Sequence, residues 1–223
     1  MAELAQVGTG RNADVFALGD GRVLRRYRDG GDVAAEAAVM TYVAGHGYPV
    51  PRVYAASGPD LVMDQVDGPT MLDAVLAGGL DAGAAGAQLA ELHRRLHALA
   101  PRLSREPGDA ILHLDLHPAN VMLGPHGPVV IDWRNAAEGP AGLDVAVSAV
   151  ILAQAAVDDR MPDLAGPARS GLAAFLRHAG GDPASMLGEA LAQRQADRSL
   201  TAADKALLGP AEALIRQYLG GRP

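Results

Sequence analysis

The sequence predicts a mixed α+β fold, with a small strand-rich amino-terminal part reaching to about Val66 and a larger helical part after it. Three observations predict it. Short apolar runs separated by glycine and proline turn signals fill the first 66 residues. From Gly68 onward, leucines at helical spacing and helix-capping residues dominate. The 223 residues are 49% hydrophobic and 20% charged, which suits a globular chain and excludes a disordered one. That length allows one large domain or two small lobes around one cleft, here residues 1–66 and 67–223.

Asp14-Val15-Phe16-Ala17-Leu18 and Arg22–Tyr27 read as strands joined by the turn signal Gly19-Asp20-Gly21, hence a hairpin. Asp32 is placed to cap a helix running to Val43, whose Val33, Ala37, Met40 and Val43 share one face; Gly45 to Gly47 end it. Pro49 and Pro51 force an extended segment. Arg52-Val53-Tyr54 and Leu61-Val62-Met63 are strands flanking a turn at Ser57–Asp60. Asp81 caps a long helix in which Leu89, Leu92, Leu96 and Leu99 repeat at helical spacing, and Pro101 ends it. Residues 111–133 return to short apolar pieces broken by Pro118, Gly124, Pro125 and Gly127. Helices follow near 143–157, 168–179, 183–197 and 202–219, with Pro210 kinking or splitting the last.

Composition excludes several functions. A net charge of −7 disfavours non-specific binding to nucleic acid or an anionic membrane, and it permits a cationic substrate. Without cysteine there is no disulfide frame, no Cys-based zinc site and no thiol nucleophile, which fits a cytoplasmic protein. Met1-Ala2-Glu3-Leu4 lacks the basic and apolar regions of a signal peptide. The longest apolar stretch, Val145–Val157, is interrupted by Ser148 and Gln154; it is too short to span a bilayer and reads as a buried helix. With aromatics at 4%, the core must come from Leu, Val and Ala.

The strongest chemical signal is His113-Leu114-Asp115-Leu116-His117-Pro118-Ala119-Asn120, followed by Ile131-Asp132-Trp133 at the end of an apolar run. Phosphoryl transfer from ATP needs a carboxylate near the acceptor hydroxyl and oxygen ligands that hold magnesium against the phosphates. A loop carrying Asp115 and Asn120, with Asp132 on the next strand, is able to supply all three.

These residues resemble the catalytic loop H-x-D-x-x-x-x-N and metal-binding Asp of protein kinases. They are most similar to aminoglycoside phosphotransferases and related small-molecule kinases, which show His-x-Asp-Leu-His-Pro-x-Asn and then Ile-Asp-Trp. The resemblance implies a bilobal protein-kinase-like fold using ATP and Mg2+, with a small-molecule hydroxyl as acceptor. It implies that Asp115 orients or deprotonates that hydroxyl, that Asn120 and Asp132 ligate magnesium, that His117 approaches the γ-phosphate and that His113 braces the loop.

Elements before this loop extend the resemblance. Gly8-Thr9-Gly10-Arg11-Asn12-Ala13-Asp14-Val15 matches the phosphate-covering loop G-x-G-x-x-G-x-V, with Ala13 in place of the third glycine. Glycines there let backbone approach phosphate and take unusual φ values. Val15, with Val23 on the next strand, is implied to line the adenine site. In Val23-Leu24-Arg25 the family usually has Val-Leu-Lys; alternation puts Val23 and Arg25 on one face, making Arg25 rather than Arg26 the phosphate-binding cation. Glu36 on the following helix is implied to be its ion-pair partner. Asp64, Gln65 and Val66 resemble the hinge whose backbone bonds the adenine edge. Asp144 is implied to cap a helix and brace the catalytic loop.

Two rival functions remain open on the sequence. A metal hydrolase is suggested by His93 and His97, four apart on one helix, and by His113 and His117 around Asp115. The helix lacks the His-Glu-x-x-His base, and that reading leaves Asn120 and Asp132 unexplained. A pseudokinase, serving as a nucleotide-binding or regulatory module, is suggested by Arg25 and Ala13. A P-loop kinase is disfavoured because no G-x-x-x-x-G-K-[ST] occurs.

Overall fold

The computed structural model describes residues 5–10 and 12–220; Met1–Leu4 and Arg11 of the glycine-containing segment lie outside the described residues. The chain divides into two compact units, one of Met1–Pro69 with Met122–Ala136, the other of Thr70–Val121 with Ala137–Pro223.

The first unit is built on a five-stranded antiparallel sheet of β1 (Gln6–Thr9), β2 (Ala13–Gly19), β3 (Arg22–Tyr27), β4 (Val53–Ser57) and β5 (Asp60–Asp64), in the order β1-β2-β3-β5-β4. The expected hairpin is β2–β3. Its turn needs three successive left-handed residues, Gly19, Asp20 and Gly21 at φ 80°, 52° and 69°, a demand that glycine and aspartate meet at least cost. Helix α1 (Ala34–Gly45) starts two residues after Asp32, with Val33 at the cap position. Asp32 still accepts the Ala34 N–H at 2.8 Å, so it closes a turn ahead of the helix rather than capping it. A hairpin, β7 (Val121–Gly124) and β8 (Gly127–Val130), belongs to this unit from Met122 onward. It is tied in by Leu123 N–H to Pro69 O and Val130 N–H to Pro49 O, both 2.8 Å. Gly68 is required here: a Cβ would lie 2.1 Å from the Leu123 carbonyl oxygen.

The second unit is helical apart from a two-stranded sheet of β6 (Asp109–Leu112) and β9 (Ala137–Pro140). Its helices are α2 (Met71–Leu76), α3 (Ala82–His97), α4 (Ala141–Val157), α5 (Pro162–His178), α6 (Pro183–Ala196), α7 (Ala202–Ala206) and α8 (Leu208–Gly220). Helix α4 is the predicted buried helix: Val145, Ala146, Ala149, Val150 and Ala153 are fully buried, and α5, α6 and α8 pack around it. No helix among the described residues is long and apolar enough to cross a membrane. Asp81 caps α3 through the Ala84 N–H as expected, but the helix ends at His97, so Leu99 lies beyond it. Helix α5 begins six residues earlier than the sequence suggested, because Pro167 leaves unbonded only a first-turn carbonyl that water can reach. The last helix is split at Leu207; Pro210 is the third residue of α8, where a missing N–H costs little.

His93 sits within this helical core with zero exposure. Its Nδ1 is 2.9 Å from the Leu89 carbonyl oxygen, which only accepts, so Nδ1 carries the proton. Nε2 therefore accepts from the Ser148 hydroxyl at 2.9 Å. Burial pushes the His93 pKa down to about 4.

Two predictions follow from this packing. Helices α3 and α5 approach through Gly86 and Gly171; a Cβ on Gly86 would meet the Gly171 carbonyl oxygen at 2.1 Å, backbone that cannot turn aside. Gly86→Ala gains up to about 1 kcal/mol of helix propensity but is expected to lose more, about 1–3 kcal/mol net, from overpacking. Gly188→Ala in α6, where nothing lies within 4 Å, is expected to stabilise. Urea midpoints of the two variants, shifted in opposite directions, are the check. For His93 the unfolded chain binds a proton near pH 6.5 and the folded chain only near 4, so stability is full above pH 6.5 and falls as pH drops through that window. The loss at the low end is up to about 3 kcal/mol. Urea titrations at pH 7 and pH 4.5 should show a smaller acid loss in His93→Gln than in the parent.

Candidate active site

In the first unit, cross-strand register puts Val15 opposite Arg25, Ala17 opposite Val23, Val23 opposite Met63 and Arg25 opposite Leu61. Partners across a sheet share a face, so Val15, Val23 and Arg25 lie together on one surface of the sheet. Gly8 pairs with Val15 at the start of that face, and the Gly10 N–H bonds the Ala13 carbonyl at 2.8 Å. Contrary to the expected need for unusual φ values, neither Gly8 nor Gly10 takes a positive φ. An added Cβ would sit in ordinary contact, 3.6 Å from Val15 Cβ and 3.5 Å from Ala13 O respectively, so packing within the unit does not require glycine at either position. Ala13, in the third glycine position, is buried opposite Tyr27.

Arg25 uses its two terminal nitrogens separately. One Nη is 3.1 Å from Glu36 Oε1 and the other 2.5 Å from Asp132 Oδ1. The predicted Arg25–Glu36 pair is thus present, and Asp132 joins it. Glu36 also accepts the Tyr27 hydroxyl at 2.8 Å and the Trp133 backbone N–H at 3.2 Å. Burial opposes the charge on Arg25, but Asp132 and Glu36 outweigh it and raise its pKa. For Glu36 burial prevails: its pKa stays above the ordinary carboxylate value although Arg25 and Tyr27 pull it down. Asp132 itself is left-handed, at φ 66°, and the carboxylate of Glu36 fixes the peptide that follows it. Trp133, fully buried, packs edge-on to Tyr48 and donates to the Val130 carbonyl.

The three hinge residues continue from β5. Asp64 N–H bonds the Arg52 carbonyl, and Gln65 N–H bonds the Gly21 carbonyl. The Asp64 carboxylate accepts the Arg52 N–H at 3.0 Å and the Tyr54 hydroxyl at 2.7 Å. Both of these N–H groups are therefore committed within the unit.

In the second unit, residues 113–120 form a braced loop. Asn120 Nδ2 donates to the Asp115 carbonyl at 2.9 Å and lies 3.4 Å from Asp115 Oδ2. With Nδ2 directed at Asp115, the amide oxygen is the Asn120 atom suited to a cation. His117 caps the 3-10 turn Pro118–Asn120 by accepting the Ala119 N–H at Nδ1. Its Nε2 lies 3.3 Å from Asn120 Nδ2 and 3.7 Å from Asp115 Oδ1. His113 is fully buried. Asp144 is also fully buried; its carboxylate accepts the His113 N–H at 3.1 Å and the Leu114 N–H at 2.7 Å. That is the expected brace. The expected cap is not formed, because α4 starts at Ala141 with Pro140 before it, leaving Asp144 inside the first turn.

Sequence reasoning missed three participants. Tyr27 was legible in principle, since it lies two residues beyond Arg25 and alternation puts it on the same face. The Trp133 N–H and the partner of Asp144, His97, depend on chain segments 97 and 47 residues apart and left no local signal. The two helical histidines are engaged elsewhere than on a metal: His93 on Leu89 and Ser148, His97 on Asp144. Among the described residues no group of three His, Cys, Asp or Glu side chains is placed to hold a metal ion.

Known proteins resemble this arrangement in fold. A choline/ethanolamine kinase family protein from Mesorhizobium loti superposes with a TM-score of 0.62 at 15% identity, covering 98% of this chain and 92% of its own. An aminoglycoside-3'-phosphotransferase of type VIII gives 0.55 at 20% identity, with 95% and 93% covered. A glucosamine kinase in complex with glucosamine, ADP and inorganic phosphate gives 0.53 at 19% identity, with 96% and 74% covered. No curated protein matches the chain in sequence. The model of the phosphotransferase enzyme family, APH, matches residues 3–110 and 109–188. With most of its length matched, and with the protein-kinase-like α+β fold of these neighbours, the chain belongs to the APH phosphotransferase family.

Proposed function

We propose that the protein transfers the γ-phosphoryl group of ATP to a hydroxyl of a small molecule. Residues 1–66 serve as the nucleotide-binding lobe and residues 67–223 as the catalytic and acceptor-binding lobe. The observation that carries this reading is the loop 113–120, where a half-buried carboxylate, Asp115, is held against Asn120 on a backbone fixed from beneath by Asp144.

Asp115 accepts the proton of the acceptor hydroxyl as its oxygen forms a bond to the γ-phosphorus; the bond to the β-phosphate oxygen breaks, and ADP leaves. His117, beside Asp115 and Asn120, approaches the γ-phosphoryl oxygens. Val15 and Val23 line the adenine site, and Gly8 and Gly10 admit the phosphates close to the backbone. Since the Asp64 and Gln65 N–H groups are already bonded, the adenine edge falls to the Asp64 carbonyl and the Val66 N–H. The Asn120 amide oxygen and the Asp132 carboxylate are each suited to a hard cation, as the family resemblance implies for them, and Asp132 already holds a cationic group in Arg25. When bound there, Mg2+ would neutralise phosphate charge that develops during transfer.

One observation favours a second reading, a nucleotide-binding module without turnover. Arg25 occupies Asp132 directly, where a metal would have to compete with it. Its planar fork serves two carboxylates at once, which a lysine ammonium does not reproduce with the same reach.

The acceptor belongs to the chemical range of the neighbours' names, amino sugars and amino alcohols. An ATP-consumption screen over such acceptors tests the reading, with Asp115→Ala as the blank. Asp115→Ala is expected to lower kcat by about 100-fold or more, while nucleotide affinity changes little. Full activity in that variant sinks the mechanism; Mg2+-dependent nucleotide binding with no turnover across the screen selects the second reading. Arg25→Lys is expected to loosen the grip on Asp132. Mn2+ binding followed by electron paramagnetic resonance in the presence of a non-hydrolysable ATP analogue should therefore tighten several-fold, by about 1 kcal/mol. Asp132→Asn should weaken the same binding.

A further inference from the structure

The kinase reading leaves His97 without a role, yet this side chain occupies a decisive place. Asp144 is a carboxylate with zero exposure. Its Oδ1 accepts the Leu114 N–H and its Oδ2 accepts the His113 N–H. Those two peptides lead directly into Asp115. Leu114 is held at φ 59°, a left-handed conformation that is strained for a leucine. Both backbone donors come from the loop itself; the third, His97 Nε2, comes from another helix and lies 2.9 Å from Asp144 Oδ2. Facing a carboxylate oxygen, that nitrogen must carry the proton.

His97 is itself held. It is the last residue of α3, nearly buried, with its ring 5.6 Å from that of His93 one turn earlier. His93 in turn is anchored at Leu89 and Ser148 and packs on Phe175. The i, i+4 histidine pair therefore forms a rigid support running from α3 to α4. The Asp144 carboxyl is held well below the usual carboxylate range: burial alone would raise it, but the hydrogen bond from His97 and the neighbouring histidines override that effect.

We propose that His97 is a positioning residue of the phosphoryl-transfer reaction. Through Asp144 it fixes the peptides of His113 and Leu114, and so sets where the Asp115 carboxylate stands. The proposal rests on the kinase reading for its catalytic consequence, but not for its structural one. It also reassigns the histidine pair from a metal site to a support.

The test compares His97→Leu, which removes the donor, with His97→Gln, which places an N–H at about the same reach. Small displacements of a catalytic group can cost about 100-fold in rate. His97→Leu is expected to lower kcat about 10- to 100-fold, with KM for ATP within about twofold, and His97→Gln to recover most of the loss. Amide hydrogen exchange at His113 and Leu114 gives a readout that needs no turnover. In His97→Leu these amides are expected to exchange about tenfold faster or more, with the amides of α5 unchanged. In His97→Gln they stay protected. Unaltered exchange in His97→Leu overturns the proposal, as does a glutamine variant impaired as much as the leucine one. If the parent protein turns over no acceptor, the kinase reading fails, and the exchange measurement alone decides the positioning role.

Discussion

The buried carboxylate of Asp144 is the constraint on which the helical unit depends. Removing a carboxylate from water costs several kcal/mol even after relaxation. Hydrogen bonds to a charged group contribute about 1.5–3 kcal/mol each. Three donors, from His97, His113 and Leu114, together offset that cost. The requirement ties α3, the loop after β6 and the first turn of α4 into one arrangement. Helix α4 has no side-chain cap because Pro140, which has no side-chain acceptor, stands at its cap position.

The first unit is organised by a cation in the same sense. Arg25, with its side chain 11% exposed, would be intolerable alone; it is compensated by Glu36 on one nitrogen and Asp132 on the other. Glu36 extends the arrangement by accepting from Tyr27 and from the backbone of Trp133. One acid thus links β3, α1 and the segment after β8. An arginine where relatives usually have lysine is then no isolated departure. It is matched to two carboxylates spaced for a fork, and Tyr27 stacks beneath it with its ring centroid 4.8 Å from the guanidinium carbon.

How far the sequence spoke follows from the range of the forces involved. The β2–β3 turn was legible because three adjacent residues carry the whole conformational demand. Asp81 was legible as a cap because its acceptor reaches only three residues on. Asp115, Asn120 and Asp132 were legible because a short loop fixes their order and spacing. Helix α2 was not read although Thr70 and Asp73 form a reciprocal capping box, because six residues are too few to show a period. Strands β6 and β9 were hidden for another reason: their pairing joins segments nearly thirty residues apart, and neither is long enough to alternate convincingly. Pro167, the sixth residue of α5, does not break the helix because the carbonyl it leaves unbonded, four residues back, lies in the exposed first turn.

Leu114 and Asp132 sharpen the point. Both take a left-handed backbone, and each adjoins or is an acid of the candidate site. Aspartate tolerates that conformation through its short polar side chain; leucine does not, and needs its peptide pinned from outside. In each unit the pin is a buried carboxylate from a helix, Asp144 for the Leu114 N–H and Glu36 for the N–H that follows Asp132. The same device is used twice on unrelated elements. Strain of about 1–3 kcal/mol per residue persists only where the surroundings over-determine it. The two carboxylates supply that over-determination, so the placement of the candidate catalytic and metal-binding acids is a consequence of acids that touch neither substrate.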